Sequence, residues 1–383
     1  MTPRLALAAM SALVALADPA AASDRIVTRS RAEPITGSIV TSDAQFVTVE
    51  LPSPEDQAAE TIRIAWTDVR ALAPAPDPGS ELARQFQAGE DIWRAHERLR
   101  RRDATGALRL LEPHADDLLG LPGPVSAQLA EGLLAGALWV GDWPTATTAW
   151  LALDAEGTGA LDIGWVGIDP DSGVALALPP AFVDEDAARF FTERAAVLAP
   201  RLTTQPRASA LLGLYLDAAA IEFATREELA RIAERHDAIR MELLRAIGRD
   251  EWVLFVADTV TARVGRPEAR AGARERLRSG RRGVAAWADA WAGLAIGLSL
   301  VAEQDETAQR RGIVSLIDTA LHAASTNPAL AARAWSAAAR AARSIGDADA
   351  ARTFEAELNA RYPDFQPAPS RGPAPAFEEG LDS

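Results

Sequence analysis

The feature that most constrains the fold is a helical pattern that starts at Glu81 and continues almost to Pro363. Apolar residues recur there at the three- and four-residue spacing of amphipathic helices, which predicts a mainly α-helical chain built from helical hairpins. Glycine, proline and aspartate are frequent over residues 155–206, so a loop or short hairpin is expected to interrupt the helices there. Beyond it, helices are predicted at 208–223, 226–247, 267–278, 284–304 and 308–323.

A β-rich stretch precedes the helices. Three runs of β-branched and aromatic residues, at 35–41, 45–51 and 61–66, are separated by turn-forming residues. In the second run Val47 and Val49 alternate with polar neighbours, and Phe46 is the large apolar residue on the polar face. Residues 23–31 are interpreted as a polar lead-in. Residues 74–80, rich in proline, are predicted to link this β module (23–73) to a helical domain (81–363).

The order strand, turn, strand, acidic loop, strand and then Trp66-Thr67-Asp68-Val69-Arg70 is similar to small β-barrel modules of the Sm-like type. This resemblance covers only part of the β module and implies a closed barrel. The alternative is a three-stranded meander that packs on the helical body, because so small a sheet gains stability from a partner.

The helical domain resembles the tetratricopeptide repeat family near its end, where five residues fall at the family's spacings: Trp335, Ala339, Gly346, Ala351 and Pro363. Small residues let two helices approach closely, glycine permits a left-handed turn between them, and proline stops the second helix. Two weaker copies lie upstream: Gly141-Asp142-Trp143 with Ala146 and Trp150, and Ala95, Ala107 and Leu111 around a turn at Asp103. Because Leu134 and Glu355 depart from the pattern, the resemblance is to a tetratricopeptide-like solenoid and not to a regular array.

The start of the chain has the order of a secretory signal peptide. Residues 1–4 are a short positive start, residues 5–17 are apolar, and alanines at 20–22 suit a cleavage site. The apolar run is too short to span a bilayer comfortably, so cleavage before Ser23 and export to the periplasm or beyond are predicted. At the other end, the proline-rich residues 364–383 are expected to form a disordered tail.

Composition excludes several kinds of chemistry. The chain has no cysteine, and all 39 of its basic side chains are arginine, which rules out thiolate nucleophiles, cysteine-held metals, P-loop lysines and lysine Schiff bases. No local motif of a metalloprotease, α/β-hydrolase or dinucleotide-binding fold occurs, and the four histidines are interpreted as surface or packing residues. We therefore predict no catalytic residue, cofactor or metal. The formal net charge of −15 also disfavours generic nucleic-acid binding.

One candidate docking site is a stripe of four arginines that recur every four residues across the predicted helix 267–278: Arg266, Arg270, Arg274 and Arg278. Guanidinium groups suit bidentate contact with oxyanions, so this arginine stripe is a candidate for docking an acidic partner, a phosphorylated polymer or an anionic membrane surface. The alternative is a solvated face balanced by Glu268 and Glu275.

Other features have simpler alternatives. Asp169, Asp171 and Gly173 resemble part of a calcium loop, but their spacing does not fit an EF-hand, and an Asp-rich turn explains them. Residues 283–302 are apolar enough to suggest a membrane span, yet Asp289 near the middle favours a buried helix with Trp287 and Trp291 in its core. Three further tryptophans line either a ligand groove or the core: Trp139, Trp143 and Trp150.

The sequence therefore predicts an exported, non-catalytic scaffold that docks an unidentified protein partner on a concave helical surface. The alternative is an envelope protein that binds or cleaves glycans through carboxylates and tryptophans. Two buried carboxylates in one deep cleft favour the enzyme, whereas an open groove lined by arginine and polar groups favours docking.

Overall fold

The computed structural model describes residues 23–53, 58–156, 167–169, 171–182, 185–246, 250–279 and 286–363. The predicted signal peptide (1–22) and tail (364–383) lie outside the described residues. The described chain is mostly helical with a small N-terminal sheet, which confirms the predicted fold class. It divides into two compact units, one up to Arg94 and the other from Ala95 onward.

The sheet of the first unit has five antiparallel strands: β1 (Asp24–Thr28), β2 (Ile35–Ser42), β3 (Phe46–Glu50), β4 (Thr61–Ala65) and β5 (Val69–Ala73). Their order is β4-β3-β2-β1-β5, so β4 and β5 are the two edges and the sheet is open. The closed barrel expected from the Sm-like resemblance is therefore wrong. The first four strands form a meander, and β5 returns to pair with β1.

The strand alternation predicted for the second run is confirmed. Val47 and Val49 are fully buried, whereas Phe46 lies on the other face with the Arg63 guanidinium 4.0 Å from its ring centre. The interpretation of residues 23–31 as a lead-in is wrong, because β1 lies within them. Only Ile26 and Thr28 of this short strand are buried, so its alternation is too brief to stand out in the sequence.

The first unit also contains the beginning of helix α1 (Glu81–Arg100). Trp66 is fully buried, and its indole nitrogen donates to the main-chain oxygen of Asp43 at 2.7 Å. Gly89 of α1 lies against the main chain of Trp66, and this close approach needs a residue without a side chain. The Arg29 guanidinium pairs with Glu90 and lies 4.3 Å from the ring centre of Trp93. Sheet and helix are thus joined by both packing and charge.

The later helices are α2 (Ala104–Leu111), α3 (Ala115–Leu118), α4 (Pro124–Val140), α5 (Trp143–Glu156), α6 (Glu185–Leu198), α7 (Pro206–Ala220), α8 (Arg226–Ala246), α9 (Glu251–Val264), α10 (Pro267–Ser279), α11 (Ala286–Val301), α12 (Glu306–Ala323), α13 (Pro328–Ser344) and α14 (Ala348–Arg361). The sequence predicts an interruption over 155–206, but α6 lies inside that range. Helix α9 is absent from the predicted set, because β-branched residues such as Val260 and Thr261 weaken its helical signal.

From α5 onward, each odd-numbered helix of the larger unit contacts the next odd-numbered helix. Helix α5 packs on α7, α7 on α9, α9 on α11, and α11 on α13. We call these five helices the inner row. Helices α4, α6, α8, α10, α12 and α14 pack against one or two members of this row. Neighbouring helices in sequence are thus neighbours in space, an arrangement compatible with a helical repeat.

Helix α11 covers most of the apolar stretch for which a membrane span was considered. Trp287 and Trp291 are buried and pack edge to face, 5.3 Å apart between ring centres, which confirms their predicted place in a core. No helix within the described ranges is both long and apolar enough to cross a bilayer.

The predicted repeat turns have the expected backbone. Gly141 follows α4 with φ of +78°, and Gly346 follows α13 with φ of +81°, in the left-handed region that suits glycine. The aspartate after each glycine caps the next helix: Asp142 accepts from Thr145 N, and Asp347 accepts from Ala350 N.

Replacing Gly89 with alanine tests the packing of the sheet on α1. The new Cβ would lie 2.5 Å from the Trp66 carbonyl, so we expect Gly89→Ala to lose about 1–3 kcal/mol of unfolding free energy. Gly213→Ala is the matched control, because the site faces open space in mid-helix and alanine there is neutral or stabilising by up to about 1 kcal/mol. Urea unfolding measures the unfolding free energy of both variants. Equal values would contradict the close approach of Gly89 to the main chain of Trp66.

Candidate functional site

The most unusual feature of the larger unit is a buried stretch without helix or strand, residues 172–182, which we call the internal segment. Val174 and Leu178 are fully buried, and Phe182 packs 5.0 Å from Phe191 of α6 between ring centres. A buried loop leaves main-chain polar groups without regular partners, so each of them needs another source of hydrogen bonds.

Side chains of the inner row supply those hydrogen bonds. Seven donors bind six main-chain carbonyl oxygens of the internal segment: Arg207 Nη2 to Ser172 (2.5 Å), Trp150 Nε1 to Gly173 (3.0 Å), Trp291 Nε1 and Asn327 Nδ2 to Leu176 (2.9 and 2.6 Å), Tyr215 Oη to Leu178, Arg263 Nη1 to Pro180 (3.3 Å) and Arg333 Nη1 to Ala181 (3.2 Å). Each helix of the row contributes at least one donor, with Asn327 capping α13. Side chains from every helix of the inner row therefore bind the main chain of the internal segment.

The two ends of the inner row also meet. Arg333 of α13 lies 4.3 Å from the ring centre of Trp143 at the start of α5. Both side chains are buried, and desolvation lowers the pKa of Arg333 to about 10. The guanidinium keeps its charge at neutral pH, stabilised by the indole face and by the Ala181 carbonyl. The internal segment thus lies within a row of helices whose first and last members touch.

An ion cluster holds the N-terminal end of the internal segment. Arg207 binds Asp154 of α5, Asp250 at the start of α9 (3.0 Å) and the Ser172 carbonyl. The Asp154 side chain has no exposed surface; its burial raises the pKa to about 6 despite the opposing effect of Arg207. Through Arg207, one oxygen of each carboxylate joins α5, α7 and α9 to the segment.

The aspartates considered for calcium form a turn instead. Asp169 Oδ2 accepts from Ser172 N (2.9 Å) and from the Ser172 hydroxyl, and Gly173 follows with φ of +68°. Asp171 is exposed, and Asp162, a further aspartate close to them in the sequence, lies outside the described residues. In the part of the chain that the structure describes, no three metal-ligating side chains come together.

His236 stands in an Asp-His-Thr arrangement that resembles a catalytic one. Its Nδ1 lies 2.8 Å from Asp217 Oδ2, and its Nε2 lies 2.9 Å from Thr261 Oγ1. Thr261 donates to the Ala257 carbonyl (2.7 Å), and all three side chains of the arrangement are buried. A nucleophile has to be reached by its substrate. This geometry connects α7, α8 and α9, in agreement with the packing role predicted for the histidines.

The arginine stripe is divided among different environments. Arg266 faces Glu234 (3.5 Å), and Arg278 lies 3.7 Å from Glu275. Arg274 is largely buried and donates to Ser299 Oγ (3.0 Å) and to Glu303, while Arg270 is partly buried. The structure thus places Arg274 inside the protein rather than on one exposed face with Arg266 and Arg278. The docking role of the stripe stays a prediction.

Exposure separates the three tryptophans considered for a ligand groove. Trp143 and Trp150 are buried, but Trp139 near the end of α4 is 46% exposed. It borders an open groove of about 550 Å³ whose walls come from the end of α1 and from α4: Leu99, Arg100, Arg102, Ala135, Leu138 and Trp139. We call this the α1/α4 groove.

Close packing sets the shape of the α1/α4 groove. Gly136 of α4 leaves room for two leucines, since a Cβ there would lie 3.0 Å from Leu108 and 3.6 Å from Leu99. His96 Nε2 of α1 donates to the Gln128 carbonyl of α4 at 2.9 Å, and burial lowers the pKa of this histidine. The base of the groove is therefore apolar and fixed, while Trp139 and the arginines are exposed.

Arg102 in this groove has an unusual backbone. It follows α1 with φ of +63°, in the left-handed region, and it is the one non-glycine residue with positive φ among those described. The turn is closed by Arg102 N to Leu99 O (2.9 Å) and Asp103 N to Arg98 O (3.0 Å), the hydrogen-bond pattern that usually places glycine at this position.

Few features of the sequence indicate these sites. Arg333 is an arginine on the apolar face of a helix, and Tyr215 lies within an apolar one; such residues are a weak signal of buried polar contacts. Asp154 and Arg207 are 53 positions apart, and nothing local links them.

Comparisons with protein-family models, with curated proteins and with solved structures found no match to this chain.

The ion cluster predicts a pH dependence. An aspartate in an unfolded chain has a pKa of about 3.9, so the raised native pKa stabilises the fold at low pH, and this contribution is lost as pH rises through about 6. Asp154→Asn removes the titration. We expect the unfolding free energy of the variant relative to wild type to rise by about 2–3 kcal/mol between about pH 4 and pH 6.5. A difference that is constant over this range in urea unfolding would refute the assignment.

Proposed function

We propose that the chain is an exported, non-catalytic docking protein with a tetratricopeptide-like helical domain, and that it binds a segment of a partner protein in the α1/α4 groove. The observation that carries this proposal is Trp139, a large side chain that stays half exposed beside a formed groove. Exposed aromatic side chains next to pockets are typical anchors of protein interfaces.

The occupied inner row supports the same choice of surface. The internal segment already covers the surface from which seven side chains point inward. A partner that approaches the larger unit there meets the chain's own residues, whereas the α1/α4 groove is open. This difference supports docking at the first helices rather than along the inner row.

Glycan cleavage has weaker support. Asp154 and Asp250 form the pair of neighbouring carboxylates that such an activity calls for, and the Asp154 pKa of about 6 suits a general acid. Both carboxylates, however, bind Arg207, and Asp154 has no exposed surface from which to reach a sugar. Their contacts are those of a structural ion cluster.

A selection from a random peptide display library, with the mature chain as bait, tests the docking role without assuming a partner. We expect selected peptides to bind Trp139→Ala at least about tenfold more weakly, because aromatic anchors contribute most of the energy of such contacts. The unfolding free energy should fall by about 1–2 kcal/mol, since roughly half of the Trp139 side chain is buried.

The matched control is Leu321→Ala, which shortens an equally exposed apolar side chain on α12. It should leave binding of the selected peptides unchanged. Failure to select any peptide, or equal binding by the Trp139 and Leu321 variants, would contradict docking in the α1/α4 groove.

A further inference from the structure

We propose that the α1/α4 groove is specific for an acidic segment of a partner protein, and that Arg102 is the residue that binds the acidic side chain of this segment. This inference rests on the docking role proposed above and adds the chemistry of the partner. It depends on three observations: the charge of the groove, the backbone of Arg102 and the apolar side chains beside it.

The groove is a basic site on an acidic protein. The chain carries a formal net charge of −15, yet four arginines fall within the five residues that span the end of α1 and the turn after it: Arg98, Arg100, Arg101 and Arg102. Arg98 pairs with Asp103 at 2.6 Å, and Arg100 pairs with Glu97. Among the described residues, the structure gives no carboxylate partner to Arg102, whose side chain is exposed at the groove. Its guanidinium is therefore placed to meet a carboxylate from outside.

The backbone of Arg102 indicates that the geometry of the turn does not require an arginine at this position. Three turns among the described residues share one hydrogen bond, in which the N–H of an aspartate donates to the carbonyl five residues earlier, and in each turn the residue before that aspartate is left-handed. Two of these turns have Gly141 and Gly346 at the left-handed position, and the third has Arg102. A side chain at positive φ is unfavourable, so glycine would suit the turn better. Residues held in such conformations concentrate at functional sites.

The remaining groove side chains define the rest of the ligand. Trp139, Leu138 and Leu99 offer apolar contact, while the guanidinium of Arg102 offers two parallel donors that match a carboxylate. The groove therefore fits a peptide stretch in which a large apolar side chain lies next to aspartate or glutamate. Screening by salt should weaken its binding.

The test uses the full mature chain and the peptides that it selects from the display library. We expect these peptides to be enriched in Asp and Glu next to a large apolar residue. Fluorescence anisotropy then compares one selected peptide with its Gln-for-Glu and Asn-for-Asp version. Wild type should bind the acidic form at least about tenfold more tightly, as expected for one charge-assisted contact.

Arg102→Gly separates this role from a structural one. Glycine relieves the backbone, so the melting temperature should be unchanged or higher, while the preference for the acidic peptide is lost. Arg102→Lys should keep part of that preference. Arg101→Gln removes the same charge from the adjacent residue outside the groove lining and should leave binding unchanged.

Several outcomes would overturn the inference. If the Arg102→Gly variant still prefers the acidic peptide over its Gln and Asn version, Arg102 does not recognise the acidic side chain. If the selected peptides carry no acidic bias but still depend on Trp139, docking stands and the acidic specificity fails. If no peptide is selected, both fail. Binding of a sulfated polysaccharide that is lost in Arg102→Gly but unaffected by Trp139→Ala would assign the groove to a glycan instead.

Discussion

The hydrogen bonds from helix side chains to the main chain of residues 172–182 are the interaction on which the larger unit depends. A loop without regular partners is normally confined to the surface, because each buried carbonyl without a donor costs free energy. Here Tyr215, Trp291, Arg333 and their neighbours supply the donors. Since these donors lie on α5, α7, α9, α11 and α13, the internal segment fixes the positions of all five helices at once.

This construction has a consequence for function. The surface that faces the internal segment is already occupied, and its charged members, Arg207, Arg263 and Arg333, are bound within the chain. The α1/α4 groove differs from it in both exposure and backbone strain. Trp139 is exposed where burial would stabilise it, and Arg102 occupies a left-handed position where glycine would be better. Both features lower the stability that the chain could reach, and they support the docking role proposed for this groove.

Local patterns predicted much of the fold. The alternation at Val47 and Val49 and the glycines at the repeat turns gave elements that the structure confirms. The prediction of a closed barrel was wrong because closure depends on the order in which the strands pair, and a local sequence pattern does not determine that order. The internal segment was predicted only as an interruption, since its contacts join residues as distant as Leu176 and Trp291, 115 positions apart. The groove was missed for the same reason: exposure of Trp139 is settled by tertiary packing.

The most direct test of this account uses the two tyrosines of the chain. Tyr215→Phe removes the donor to the buried Leu178 carbonyl, and we expect it to lower the unfolding free energy by about 1–3 kcal/mol. Tyr362→Phe makes the same chemical change at a partly exposed site after α14 and should stay within about 0.5 kcal/mol of wild type. Equal stability of the two variants in urea unfolding would contradict the claim that side-chain donors to the internal segment hold the unit together.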